Sequence, residues 1–146
     1  MAPHIRFHIL ESRDDPARLK YACRLVEDAV RGGATVCVRV GSTADADIVD
    51  ELLWTQSERS FIPHEVTDDP NARTGFPPSA PVLIAVGRSL PAATLVNLSA
   101  DPPDSIDDYQ HLIEIIDAEP TRRDAGRRRF AAYRDRGFPP ETHRVT

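Results

Sequence analysis

Residues 5–10, "IRFHIL", alternate apolar and polar positions using β-branched and aromatic side chains, the period-two signature of a strand. The period then changes. Leu19, Cys23, Val26 and Val30 recur at helical spacing on one face; Asp14 or Asp15 can cap that helix, Pro16 suits its first turn, and Gly32 and Gly33 supply the stop. "TVCVRV" (35–40) reads as a second strand, and "GSTADADIVDELLW" as a second helix capped at Ser42 or Thr43. "VLIAV" (82–86) is a continuous apolar run, which suits a strand buried on both faces. Residues 93–98 and 111–117 are further strands, and 121–137 a last helix stopped by Gly137. Between them, residues 67–81 carry turn chemistry throughout and are expected to form a flexible loop; residues 139–146 are expected to be an irregular tail. The β-α-β-α order predicts an α/β chain with parallel central strands. A length of 146 residues predicts one domain over 1–146, large enough to bury a core without disulfides or metals.

Composition narrows the class of protein. The apolar fraction of 40% and charged fraction of 28% are ordinary for a globular domain, and no run approaches eighteen uncharged apolar residues, so no membrane span is expected. "MAPHIRFHIL" has too short and interrupted an apolar run for a secretory leader. Cys23 and Cys37, without any CxxC, fit buried reduced thiols and a cytoplasmic location. Charge is segregated: eight arginines against three acids give residues 122–146 a net +5, while residues 1–121 carry −10. A basic patch on an acidic body predicts an anionic partner at one place.

Catalytic and cofactor signatures are missing. The first strand-to-helix turn, "LESRDDPAR", lacks the glycines that let backbone approach a pyrophosphate, and no GxxxxGK[ST] occurs. His4 and His8 would lie about 13 Å apart along one strand face, too far for one metal, and His111 and His143 have no ligand pair nearby in sequence. No GxSxG is present, and the acidic pairs at 14–15, 68–69 and 107–108 sit where capping and solvation explain them. No cofactor, no metal and no intrinsic catalysis are expected.

The last helix holds the remaining chemistry. At 100° per residue, Arg123, Arg127 and Arg134 fall within about 60° of Phe130. Guanidinium forks beside an aromatic wall suit an acidic, apolar peptide. In the competing arrangement, Phe130 and Tyr133 pack inward and the arginines are merely solvated. Arg129 falls on the core side of this wheel and must snorkel or pair with an acid. The one tryptophan lies in "LLWTQSERSFIPHEV" (52–66); Leu52, Leu53 and Trp54 are expected to seat the second helix in the core, and Pro63-His64 to shape the exit of the loop.

Two segments, "VDELLWTQSERSFIPHEV" (49–66) and "RRRFAAYRDRGF" (127–138), together with "FHIL", Gly33 to Val36 and "APVLIA", resemble the chi subunit family of bacterial DNA polymerase III. The resemblance runs along nearly the whole chain. It implies a Rossmann-like, three-layer α/β/α domain with a largely parallel, mixed central sheet. It also implies a non-catalytic accessory subunit that binds the acidic C-terminal tail of single-stranded DNA-binding protein. A psi subunit would join it to the clamp loader, so DNA contact would be mainly indirect. The tail-binding residues carried over are Phe61, Arg127, Phe130 and Thr142; Arg123 and Arg134 are added from the helical wheel. The chain departs from the family pattern at Ala131, where a tail-binding lysine is expected; Arg127, Arg128 and Arg134 are the candidates to replace its charge. The alternative function is a direct single-stranded nucleic-acid-binding module using the basic C-terminal helix.

Overall fold

Alternation along the strands sorts the apolar side chains into two cores. In the computed structural model, which describes residues 3–55, 64–67, 81–90, 92–103 and 105–145, seven strands form one sheet in which every described pairing is parallel. The strands are β1 (His4–Leu10), β2 (Val36–Val40), β3 (His64–Thr67), β4 (Val82–Val86), β5 (Thr94–Asn97), β6 (His111–Ile116) and β7 (Glu141–Val145), in spatial order β3-β4-β2-β5-β6-β1-β7. Val36, Val38 and Val40 turn to one face, where α1 (Asp15–Arg31) and α2 (Thr43–Thr55) pack with Leu19, Cys23, Val26, Val49 and Leu53. Phe7, Cys37, Leu95 and Leu112 turn to the other face and meet Tyr133 of α3 (Pro120–Asp135) and the segment around Ile106 and Tyr109. The result is the three-layer α/β/α arrangement expected, with a sheet that is parallel rather than mixed among the described strands.

The helix ends follow some of their sequence signals, although Asp14, at the start of α1, makes no side-chain capping hydrogen bond. Pro16 lies in the first turn of α1, behind an extended Asp14. At α2 the Ser42 hydroxyl accepts from the Asp45 N–H at 3.1 Å. The Glu119 carboxylate caps α3 by accepting from the N–H groups of Thr121 and Arg122 at 3.1 and 2.8 Å. Cys23 and Cys37 are buried thiols outside any disulfide, on opposite faces of the sheet, and burial pushes their pKa values up to about 12 and 11. Both therefore stay protonated and unreactive at neutral pH.

Two expectations are corrected, and one strand was missed. Residues 139–146 are not an irregular tail: Glu141–Val145 form β7, paired along β1 with Phe7 opposite Thr142 and Ile9 opposite Arg144. "ETHRV" has one apolar residue, so its strand state comes from main-chain pairing and cross-strand polar contacts, which an apolar pattern does not register. The short β3 went unread for the same reason. Trp54 does not seat α2 in the core: it is 54% exposed, while Leu53 is buried. The loop expected at 67–81 and Pro63 fall outside the described residues, apart from Thr67 at the end of β3 and Pro81 before β4.

One buried polar cluster locks α3 to the sheet. Glu114 on β6, fully buried, accepts from Arg129 Nε at 3.0 Å, from Asn97 Nδ2 at 3.0 Å and from the Tyr133 hydroxyl. Arg129 also donates to the Ala100 carbonyl at 3.0 Å. Burial raises the Glu114 pKa, opposed by the Arg129 guanidinium and by the Tyr133 and Asn97 hydrogen bonds. Its partners all donate, so the group they fit is the carboxylate. Arg129→Ala strands that charge, and urea denaturation should record a loss of about 3–5 kcal/mol. The double variant Glu114→Gln/Arg129→Met should recover part of the loss; a single variant as stable as the parent would exclude the buried pair.

Candidate functional site: a slot between the last helix and the edge strand

The rotation of α3 decides which residues reach the site. Ala125, Gly126, Arg129 and Tyr133 are buried against the sheet. Gly126 permits the approach: a Cβ there would lie 2.6 Å from Cγ2 of Ile116, a β-branched side chain with little freedom to yield. Arg123, Arg127 and Phe130 follow at i, i+4 and i+7 on the neighbouring flank, which borders a slot of about 240 Å3 closed on its far side by Thr142 and Arg144 of β7. Phe7, Ile9 and Ile116 form the floor. Half-buried Phe130 tilts over Phe7, with ring centroids 5.3 Å apart.

The rim is cationic and only weakly neutralised. Arg123 and Arg144 form no ion pair among the described residues, and Arg127 meets Asp124 only at 3.7 Å between groups that are 72% and 63% exposed. Such an exposed contact contributes little. Glu11 is the one acid lining the slot among the described residues. By contrast, Arg122 is committed to Asp117 at 2.7 Å and Arg129 to Glu114 at 3.0 Å. The slot thus combines an aromatic and aliphatic floor with guanidinium groups on both walls, an arrangement suited to an apolar side chain adjoining a carboxylate.

Four of the six sequence-derived candidates, Arg123, Arg127, Phe130 and Thr142, come together here. Arg134 does not line the slot; it is exposed beside Asp135 at 3.7 Å. Phe61 lies outside the described residues. Sequence reasoning missed Arg144 and the floor residue Ile9. The alternation that brings Thr142 to the slot also brings Arg144, but only if residues 141–145 are recognised as a strand. Tyr133 packs inward, as the competing arrangement required, while Phe130 stays at the slot.

The opposite face of β7 anchors the strand. Glu141 Oε2 meets His4 Nε2 at 3.1 Å and Arg6 Nη2 at 3.2 Å, and these hydrogen bonds lower its pKa. His8 is buried, its Nδ1 2.7 Å from the Tyr21 hydroxyl and its ring 5.4 Å from that of His143. Burial first, then His143 and Arg6, lower the His8 pKa to about 4. The rings of His4 and His111 lie 5.8 Å apart, so histidines dispersed in sequence meet in pairs. Among the described residues, no group of three or more His, Cys, Asp or Glu could hold a metal ion, and no helix is long and apolar enough to cross a membrane.

At the other end of the sheet, exposed Trp54 lies against His64 with ring centroids 5.3 Å apart, and His64 Nε2 is 2.7 Å from Asp50 Oδ1. Val66, on the same face of β3 as His64, is 43% exposed. This apolar surface is separated from the slot by the full width of the sheet.

Residues 2–141 match the family model described as DNA polymerase III chi subunit, HolC. The chain is 31% identical to DNA polymerase III subunit chi of Pseudomonas aeruginosa over 145 residues, which covers 97% of this chain and 96% of that protein. Its identity to the subunit of the same name from Haemophilus influenzae is 25% over 146 residues, 99% of each chain. For that from Escherichia coli it is 26% over 119 residues, 80% of this chain and 78% of that protein.

His8 sets a pH dependence. Its folded pKa lies below its ordinary value of 6.5, so the unfolded chain binds the proton first. The stability due to neutral His8 is present above pH 6.5 and is lost as pH falls towards 4, by about 3 kcal/mol at most. Denaturation midpoints taken across that window should fall more steeply for the parent than for His8→Gln. Parallel curves would exclude a buried neutral imidazole.

Proposed function

The chain belongs to the chi subunit family of DNA polymerase III, and from that premise we propose that it is a non-catalytic replication subunit whose α3–β7 slot binds the acidic C-terminal tail of single-stranded DNA-binding protein. The observation that carries this reading is the slot itself, where Phe130, Arg123, Arg127 and Thr142 converge over the apolar floor of Phe7, Ile9 and Ile116. The partner's terminal Phe ring enters beside Phe130, its carboxylate meets Arg127, and its upstream aspartates follow the exposed arginines of α3. The subunit acts in the cytoplasm and contacts DNA mainly through this partner. A direct nucleic-acid module gains less support, because the aromatic at the basic helix faces a narrow slot instead of an open stacking surface.

The surface around Trp54 and Val66 supports a second protein contact at the opposite edge of the sheet. We assign it to psi, which would join the subunit to the clamp loader. A half-exposed tryptophan is a strong anchor for an interface, and its distance from the slot lets both partners bind together. Trp54→Ala should abolish co-elution with psi while leaving affinity for the tail peptide unchanged; loss of both would place the contacts on one surface.

Titration calorimetry with an acidic tail peptide, with and without its final Phe, tests the slot. Removing the Phe should weaken binding at least about tenfold. Arg127→Glu should do the same, and charge reversal at exposed Arg13 should not. Affinity should fall with added salt, since exposed charge pairs are screened. Equal affinity for the two peptides would sink the reading, and retention of naked single strands with a salt slope of several phosphates would favour direct nucleic-acid binding.

A further inference from the structure

The slot has two walls, and on the β7 wall Thr142 alone was anticipated, from the family resemblance. On β7, Glu141 is drawn to Arg6 and His4, His143 stacks towards His8, and Val145 packs into the α1-side core. Period-two alternation therefore commits Thr142 and Arg144 to the α3 side. Arg144 stands in register with Ile9 of the slot floor and faces the α3 arginines across it. It is exposed and has no acidic partner among the described residues. Its backbone is held in a strand on a sheet whose polar cross-strand contacts lie on the reverse face, so the guanidinium is positioned without being neutralised. A carboxylate held by α3 alone would sit at the rim with one side in water. Between Arg144 and Arg127 it would be contacted from both sides while the adjoining apolar side chain rests on Phe7 and Ile9.

We propose that Arg144 is a specificity-determining residue of the slot, gripping the terminal α-carboxylate of a bound peptide from the β7 wall while Arg127 grips it from α3. This inference rests on the reading that the slot takes an acidic C-terminal peptide with an apolar last residue. It adds that the ligand must end there, because an internal segment lacks the carboxylate that both walls converge on. Glu11, the residue after the end of β1, lines the same slot and repels any further acid at that end, so the upstream aspartates run along α3.

The test uses the full chain and two synthetic peptides of identical acidic sequence ending in Phe, one with a free α-carboxylate and one amidated. The parent protein should prefer the free acid at least about tenfold. Arg144→Gln should lose most of that preference by weakening the free acid alone, Arg144→Lys should retain part of it, and denaturation midpoints of all three proteins should agree. If Arg144→Gln binds the free acid as the parent does, or weakens both peptides equally, the assignment to Arg144 is overturned while tail binding stands. If the parent binds neither peptide, the assignment falls together with the reading beneath it.

Discussion

Glu114 fixes the rotation of the last helix, and the placement of the slot follows from that. Its carboxylate accepts from Arg129 and Tyr133, four residues apart on one stripe of α3, and from Asn97 on β5. Two contacts on one stripe leave the helix no freedom to roll. Residues 126, 129 and 133 face the sheet, so 123, 127 and 130 must face the β7 edge. A buried carboxylate is costly to desolvate, and the cost is offset only because each donor is in place. Gly126 sets the depth of the helix as Glu114 sets its angle: the missing Cβ brings the backbone down on Ile116, which makes Ile116 part of the slot floor.

The edge strand completes the site by an independent device. β7 contributes almost nothing to either core beyond Val145. It is held by parallel pairing to β1 and by polar contacts on one face, which leaves its other face to supply Thr142 and Arg144. Its charged side chains also discourage another chain from adding to the sheet there. An edge built this way can present unneutralised cations because its stability does not depend on them.

Apolar periodicity exposed the parts of the fold that depend on burial. The strands at 82–86, 5–10 and 111–117 and the three helices among the described residues were legible because their side chains enter a core. β3 and β7 were not, since "HEVT" and "ETHRV" are strands through main-chain pairing. The site divides along the same line. The α3 wall could be read from a helical wheel, and of the two outcomes open to Arg129, snorkelling or pairing with an acid, the structure shows the pair, with Glu114. The β7 wall could not be read, so Arg144 went unnoticed while its neighbour Thr142 came from family resemblance alone. Trp54 was misread because a large aromatic after two leucines fits a core; it instead lies over His64 with its outer face in solvent.

The charge segregation of the chain acquires a sharper meaning once the ion pairs are known. The +5 of residues 122–146 overstates the field at the slot's rim in one respect, since Arg122 and Arg129 are paired with acids from the body of the protein. The −10 of residues 1–121 is overstated in the same way, because those pairings consume Asp117 and Glu114, while the exposed arginines of the segment are untouched. An acidic ligand would be repelled by most of the surface and drawn to one edge, which raises its rate of encounter. That field decays over about 8 Å at physiological ionic strength, so it cannot hold the ligand for long. Residence would come from short-range contacts: burial of an apolar side chain on Phe7, Ile9 and Phe130, which is insensitive to salt, and the hydrogen bonds of a carboxylate to Arg127 and Arg144. The long-range field of the arginines would govern arrival, and these contacts together would govern departure.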